Sequence, residues 1–87
     1  MYEKKATVMK QVGLCARPAT FLIQKANEFK CNIWIEKDER RVNAKSLLGV
    51  LSLGVSKDTT VNIVADGVDA VEAVDTLCEL ISSDFEE

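Results

Sequence analysis

Apolar and polar positions alternate over Tyr2–Met9, where Ala6 and Val8 share one face and Lys5 and Thr7 the other. That period of two predicts a half-buried strand. A loop over Gln11–Leu14 follows, and from Pro18 the period changes. Ala19, Leu22, Ile23, Ala26 and Phe29 form one stripe, predicting a helix over 17–28. Proline is tolerated in the first turn, where its missing N–H would have no intrahelical partner. Alternation returns at Asn32–Lys37, with Ile33 and Ile35 inward and Trp34 and Glu36 outward. Asp38-Glu39 is a polar turn into a short strand, Arg40–Asn43, around Val42. The turn lacks the favoured Asn-Gly or Asp-Gly pair. Ser46 suits the N-cap of a short helix, Leu47–Leu53, closed by Gly54. Positions 60–66 alternate again, with Val61, Ile63 and Ala65 inward. Asp69 and Glu72 read as a capping box with Asp in place of Ser or Thr. Behind them Ala70, Ala73, Val74, Leu77, Cys78 and Ile81 fit a helix over 70–82.

The order is βαββαβα. Strands with a single apolar face need a helical layer on that face only. The fold class is therefore α+β, an open-faced two-layer sandwich: a four-stranded antiparallel sheet, near 2–9, 32–37, 40–43 and 60–66, covered on one face by three helices. Its core should hold Ala6, Val8, Leu22, Ile23, Ala26, Ile33, Ile35, Val50, Leu53, Val61, Ile63, Ala65, Val74, Leu77 and Ile81. With 87 residues and neither linker nor internal repeat, 1–87 reads as a single domain. A chain of this mass buries roughly 63% of its open-chain surface, enough for one core.

Eleven Lys and Arg against fourteen Asp and Glu leave a net charge of −3. Nucleic-acid binding draws on a basic surplus to release phosphate counterions, so direct nucleic-acid contact is not expected. No apolar run approaches the ~20 residues of a membrane span, and Met1 leads into charged residues rather than a signal peptide. Three cysteines without CxxC spacing suit a reducing, cytoplasmic setting rather than a disulfide framework. There is no histidine. That excludes histidine acid–base catalysis, histidine metal ligation and a phosphohistidine; no metal and no cofactor are expected.

Two segments carry candidate chemistry. In Gly13-Leu14-Cys15-Ala16-Arg17-Pro18-Ala19-Thr20, Cys15 stands at the start of a helix, where free N–H groups favour an anion. Arg17 adds a fixed positive charge, and both effects lower a thiol pKa. Cys15 is thus either a reactive thiol or a small loop residue, whereas Cys31 and Cys78 lie in apolar stripes and read as packing. In Asn43–Leu51, more large apolar side chains crowd the short helix than one core can take, so part of its surface should be exposed, as at a partner surface. Ser46 should cap that helix with its hydroxyl exposed, and a phosphate there would set about two negative charges beside the apolar patch. Trp34 is open between a solvent-facing and a contact residue.

Both segments resemble the signatures of HPr, the phosphocarrier family of the bacterial sugar phosphotransferase system. The first resembles its active-site segment, G-[IL]-H-A-R-P-A. Val42-Asn43-Ala44-Lys45-Ser46-Leu47-Leu48-Gly49-Val50-Leu51-Ser52-Leu53 resembles the segment around its regulatory serine, and Ala65-Asp66-Gly67 matches the end of the last strand. The departure is Cys15, which replaces the phosphate-accepting histidine. With Val42–Ser46 and Glu36-Lys37-Asp38, this looks most like the Crh branch, catabolite-repression paralogues that also lack the histidine and usually carry glutamine there. The resemblance implies a protein that is not an enzyme, phosphorylated on Ser46 by HPr kinase/phosphorylase and acting as corepressor with a CcpA-like transcriptional regulator. It also implies a docking surface of Arg17, Thr20, Phe21, Gln24, Leu47, Leu48 and Leu51, with Arg17 the phosphate-stabilising residue. The family often has methionine in that last group. The alternatives are a phosphocarrier accepting phosphate on Cys15 from Enzyme I and passing it to sugar-specific components, an HPr whose histidine was replaced, and a redox sensor pairing Cys15 with Cys31 or Cys78.

Overall fold

The computed structural model describes residues 1–8, 16–55 and 58–82, and of 16–18 the backbone only. The elements are β1 (Tyr2–Thr7), α1 (Ala16–Ala26), β2 (Asn32–Lys37), β3 (Arg40–Asn43), α2 (Leu47–Ser52), β4 (Thr60–Asp66) and α3 (Ala70–Ser82). The strands form one antiparallel sheet in the order β1-β4-β2-β3, so β4, last in sequence, lies inside. The architecture is the open-faced α+β arrangement that the periodicity implies. Of the strand expected over 2–9, Met9 lies outside the described residues, as does the loop over 11–14.

The inward register places Ala6, Val61, Ile63, Ala65, Ile33 and Ile35 under Leu22, Ala26, Val50, Val74, Leu77 and Ile81, all buried. Of the expected core, Ile23 alone is only partly buried and packs at the core's margin. Ala19, Cys31, Ala44, Val55, Ala70, Ala73 and Cys78 complete the buried cluster among the described residues. Val64 is a second difference. Alternation puts it on the outer face, yet it is buried there, bracketed in register by Glu3 and Trp34. Trp34 is half-buried with the Arg41 guanidinium 5.3 Å from its ring centroid, a cation–π contact. Beside it Asn62 Nδ2 donates to Glu3 (2.6 Å) and Glu36 (3.1 Å). With Arg41, which also pairs with Glu36, this holds the Glu36 carboxyl below the usual carboxylate range.

α1 ends at Ala26 rather than 28 because its last turn tightens. Glu28 N–H reaches Lys25 O and Phe29 N–H reaches Ala26 O, three residues back, while Asn27 Nδ2 caps Ile23 O. The β2–β3 turn works without glycine because Asp38 takes φ 56°, a left-handed value that Asp tolerates.

The capping-box reading of Asp69 and Glu72 needs correction. Asp69 does start α3, its carbonyl accepting from Ala73 N–H, but its carboxylate accepts from Lys30 N–H (2.9 Å) and Cys31 N–H (3.0 Å). These donors come from the α1–β2 connection and hold the Asp69 carboxyl below its ordinary value. Gly67 permits the approach: at its φ of +151°, a Cβ would lie 2.6 Å from Cys31 Cβ and 2.8 Å from Cys31 Cα.

Candidate functional site

Ser46 precedes α2 with extended backbone (φ −110°, ψ 119°), and its Oγ accepts from Gly49 N–H at 3.2 Å. It is the N-cap that the sequence implies, satisfying one of the helix's unpaired donors. The residue is half-buried rather than openly exposed, because that hydroxyl is turned into the first turn. Asn43 Oδ1 accepts from Lys45 N–H at 2.8 Å, and Ser46 N–H donates to Asn43 O, so an Asx turn delivers the chain to the cap. Lys45 Nζ in turn donates to Phe29 O at 2.7 Å, tying the residue before Ser46 to the segment after α1.

α2 spends few of its side chains on the core. Val50 is fully buried and Leu53, just past the helix, is 4% exposed, whereas Leu48 is 81% exposed, Leu47 42% and Leu51 38%. Three leucines turned to solvent on six residues is the surplus the sequence shows over that segment. Gly49 keeps the helix close to β3, since a Cβ there would lie 3.3 Å from Val42 Cβ. α1 packs against α2, and Thr20, Phe21 and Gln24 are exposed on it. Gly54, at φ +63°, closes the helix as the sequence indicates.

At the other end of α2 lie two residues, Lys37 and Arg40, that the sequence assigns only to strand ends on either side of the Asp38-Glu39 turn. Lys37 Nζ donates to Leu53 O (3.1 Å) and Gly54 O (3.2 Å). Arg40 donates to Ser52 O (2.7 Å) and Ser52 Oγ (3.1 Å). Lys37 and Arg40 face each other across the hairpin in register. The available signal was two cations flanking a turn; their acceptors, 12 to 17 residues on, were not legible.

Cys15, directly before α1 in sequence, and the Arg17 side chain lie outside the described residues. The other two thiols are buried. Desolvation pushes Cys31 up to about 11, and burial also raises Cys78, whose Sγ approaches Lys4 O at 3.7 Å. Neither is suited to act as a resolving thiolate. Among the described residues, no group of three or more His, Cys, Asp or Glu is placed to hold a metal ion, and no helix is long and apolar enough to cross a membrane.

A family model described as the PTS HPr component phosphorylation site matches residues 2–83. The HPr-like protein Crh of Halalkalibacterium halodurans is 40% identical over 84 residues, 97% of this chain and 100% of that protein. The crystal structure of HPr-C-His from Thermoanaerobacter tengcongensis superposes with a TM-score of 0.94 at 45% identity, covering 100% of this chain and 99% of the other. The phosphocarrier protein HPr of Bacillus anthracis superposes with a TM-score of 0.90 at 40% identity, covering 92% of this chain and 95% of that one.

Proposed function

This chain belongs to the HPr family of phosphotransferase-system components, and from that membership we propose a cytoplasmic regulatory adaptor that is switched by phosphorylation of Ser46. The family consists of carriers and regulators rather than enzymes. The observation that carries the reading is the exposed leucine surface of α2 directly behind a serine that caps it. Phosphate on Ser46 Oγ replaces a weak neutral cap with a dianion facing the free N–H groups of the first turn, so the fold need not change. Its remaining oxygens become a handle for Arg or Lys of a partner, next to an apolar anchor.

The docking surface comprises Arg17, Thr20, Phe21 and Gln24 of α1 with Leu47, Leu48 and Leu51 of α2. Leucine in place of the family's frequent methionine keeps the apolar area and gives up some adaptability. The partners are HPr kinase/phosphorylase, which installs the phosphate, and a CcpA-like transcriptional regulator, which reads it. Incubation with the kinase and ATP should label the wild type once, and Ser46→Ala not at all. Equal labelling of both, or of neither, refutes the reading.

A second reading rests on Cys15 in an otherwise family-like Gly13–Ala19 segment: a phosphocarrier forming phosphocysteine. Arg17 and the N-terminal amides of α1 would stabilise that phosphate. Enzyme I with phosphoenolpyruvate should then label wild type and not Cys15→Ala.

A further inference from the structure

We infer that Lys37 and Arg40 are positioning residues for the docking face: from opposite strands of the β2–β3 hairpin they grip the C-terminal end of α2 and so fix the attitude of Leu47, Leu48 and Leu51. A six-residue helix lacks the length to hold itself, since helices under about 12 residues are marginal without tertiary support. α2 anchors to the core through Val50 and Leu53, a narrow footing about which a short rod can rock. Its direction must therefore be set at its ends. The N-terminal end is tied by the Ser46–Gly49 cap and by close packing of Gly49 on Val42.

At the C-terminal end the turn's own amides take only part of the carbonyl set, Leu53 N–H reaching Val50 O and Gly54 N–H reaching Leu51 O. The next three carbonyls, of Ser52, Leu53 and Gly54, are taken by Arg40 and Lys37. Arg40 also holds Ser52 Oγ, which donates back to Gly49 O at 2.7 Å, so the grip reaches a full turn into the helix. Both donors are cations at the negative end of the helix, where charge-assisted bonds are strongest. Lys37 and Arg40 are directly paired across the sheet, so the helix end inherits the rigidity of the hairpin. Neither residue belongs to the partner surface proposed above; each acts on it through the α2 backbone.

This inference rests on the regulatory reading, and the test separates the two. Ser46 phosphorylation by HPr kinase/phosphorylase and ATP is followed for wild type, Arg40→Met, Lys37→Met/Arg40→Met and Lys37→Arg/Arg40→Lys. Amide exchange of Val50, Leu53 and Gly54 is compared with that of Ile63 and Val64. Loss of the charged bonds in the double Met variant should raise KM about tenfold with kcat unchanged, and speed α2 exchange about tenfold while β4 stays protected. Arg40→Met should show a smaller rise, and the conservative pair should restore KM to within about twofold of wild type. Wild type labelled and the Met variants labelled with the same KM, or with unchanged α2 exchange, overturns the positioning role alone. A fall in kcat with loss of β4 protection, or a KM rise that the conservative pair does not restore, also overturns it, because the effect is then general. Wild type not labelled overturns the regulatory reading and this inference with it.

Discussion

Asp69 has the backbone of a helix cap and the side chain of a staple, its carboxylate reaching from the β4–α3 junction to Lys30 and Cys31 N–H in the α1–β2 connection. The local pattern Asp-x-x-Glu reveals the first role; the second depends on donors 38 and 39 residues away, which no local pattern encodes. Those bonds depress the Asp69 pKa in the folded state, Lys30 N–H foremost. Their stabilisation is therefore fully present above the unfolded value of about 4 and is lost as pH falls through the lower folded value. Asp69→Asn should destabilise the protein at neutral pH and flatten the acid limb of its stability curve, measured by urea unfolding between pH 2 and 7. An unchanged acid limb would remove the staple from the account. Gly67→Ala forces a Cβ into Cys31 and should cost roughly 1–3 kcal/mol in the same assay. Thiol reactivity tests the residue left open by sequence. Cys31 and Cys78 are buried with raised pKa values, so iodoacetamide at pH 8 should modify Cys15 rapidly and the other two only on unfolding. Similar rates at all three would end the case for an activated Cys15.

At the scale of elements, α2 is built the opposite way from α3. α3 spends Ala70, Ala73, Val74, Leu77, Cys78 and Ile81 on the core, and Leu77→Ala should cost about 2–5 kcal/mol of unfolding free energy. α2 turns three leucines outward. Leu47→Asp should cost no more than about 1 kcal/mol of stability, because Leu47 lies partly exposed outside the core. The same change should strongly weaken binding of the Ser46-phosphorylated protein to its proposed regulator, read by calorimetry. Normal binding would remove α2 from the docking surface. This contrast was legible because helical stripes declare how many apolar residues one face can hold, and Leu47–Leu53 exceeds it. The hold of Lys37 and Arg40 on α2 was not, since hydrophobic periodicity carries no information about where a long cationic side chain reaches.

Across the whole molecule, alternation with period two and stripes with period 3.6 were enough for the element order and the buried face. β4 lies inside the sheet and is covered on one side by helices, so Val61, Ile63 and Ala65 read cleanly. Val64 did not, because it is flanked in register by Glu3 and Trp34 on the neighbouring strands, and outer-face cover is a property of the assembled sheet. The family relationship stands on a family model that matches residues 2–83 and on 40% identity over 97% of the chain. Within that fold, the two proposed phosphate sites are Ser46, at the start of α2, and Cys15, which precedes α1 in sequence. The measurement that decides between them is intact-mass and peptide mapping of the protein after two incubations, one with Enzyme I and phosphoenolpyruvate, the other with HPr kinase/phosphorylase and ATP. The regulatory account predicts one phosphate on Ser46 in the second and none in the first; phosphate on Cys15 in the first, with Ser46 unmodified in the second, would contradict it.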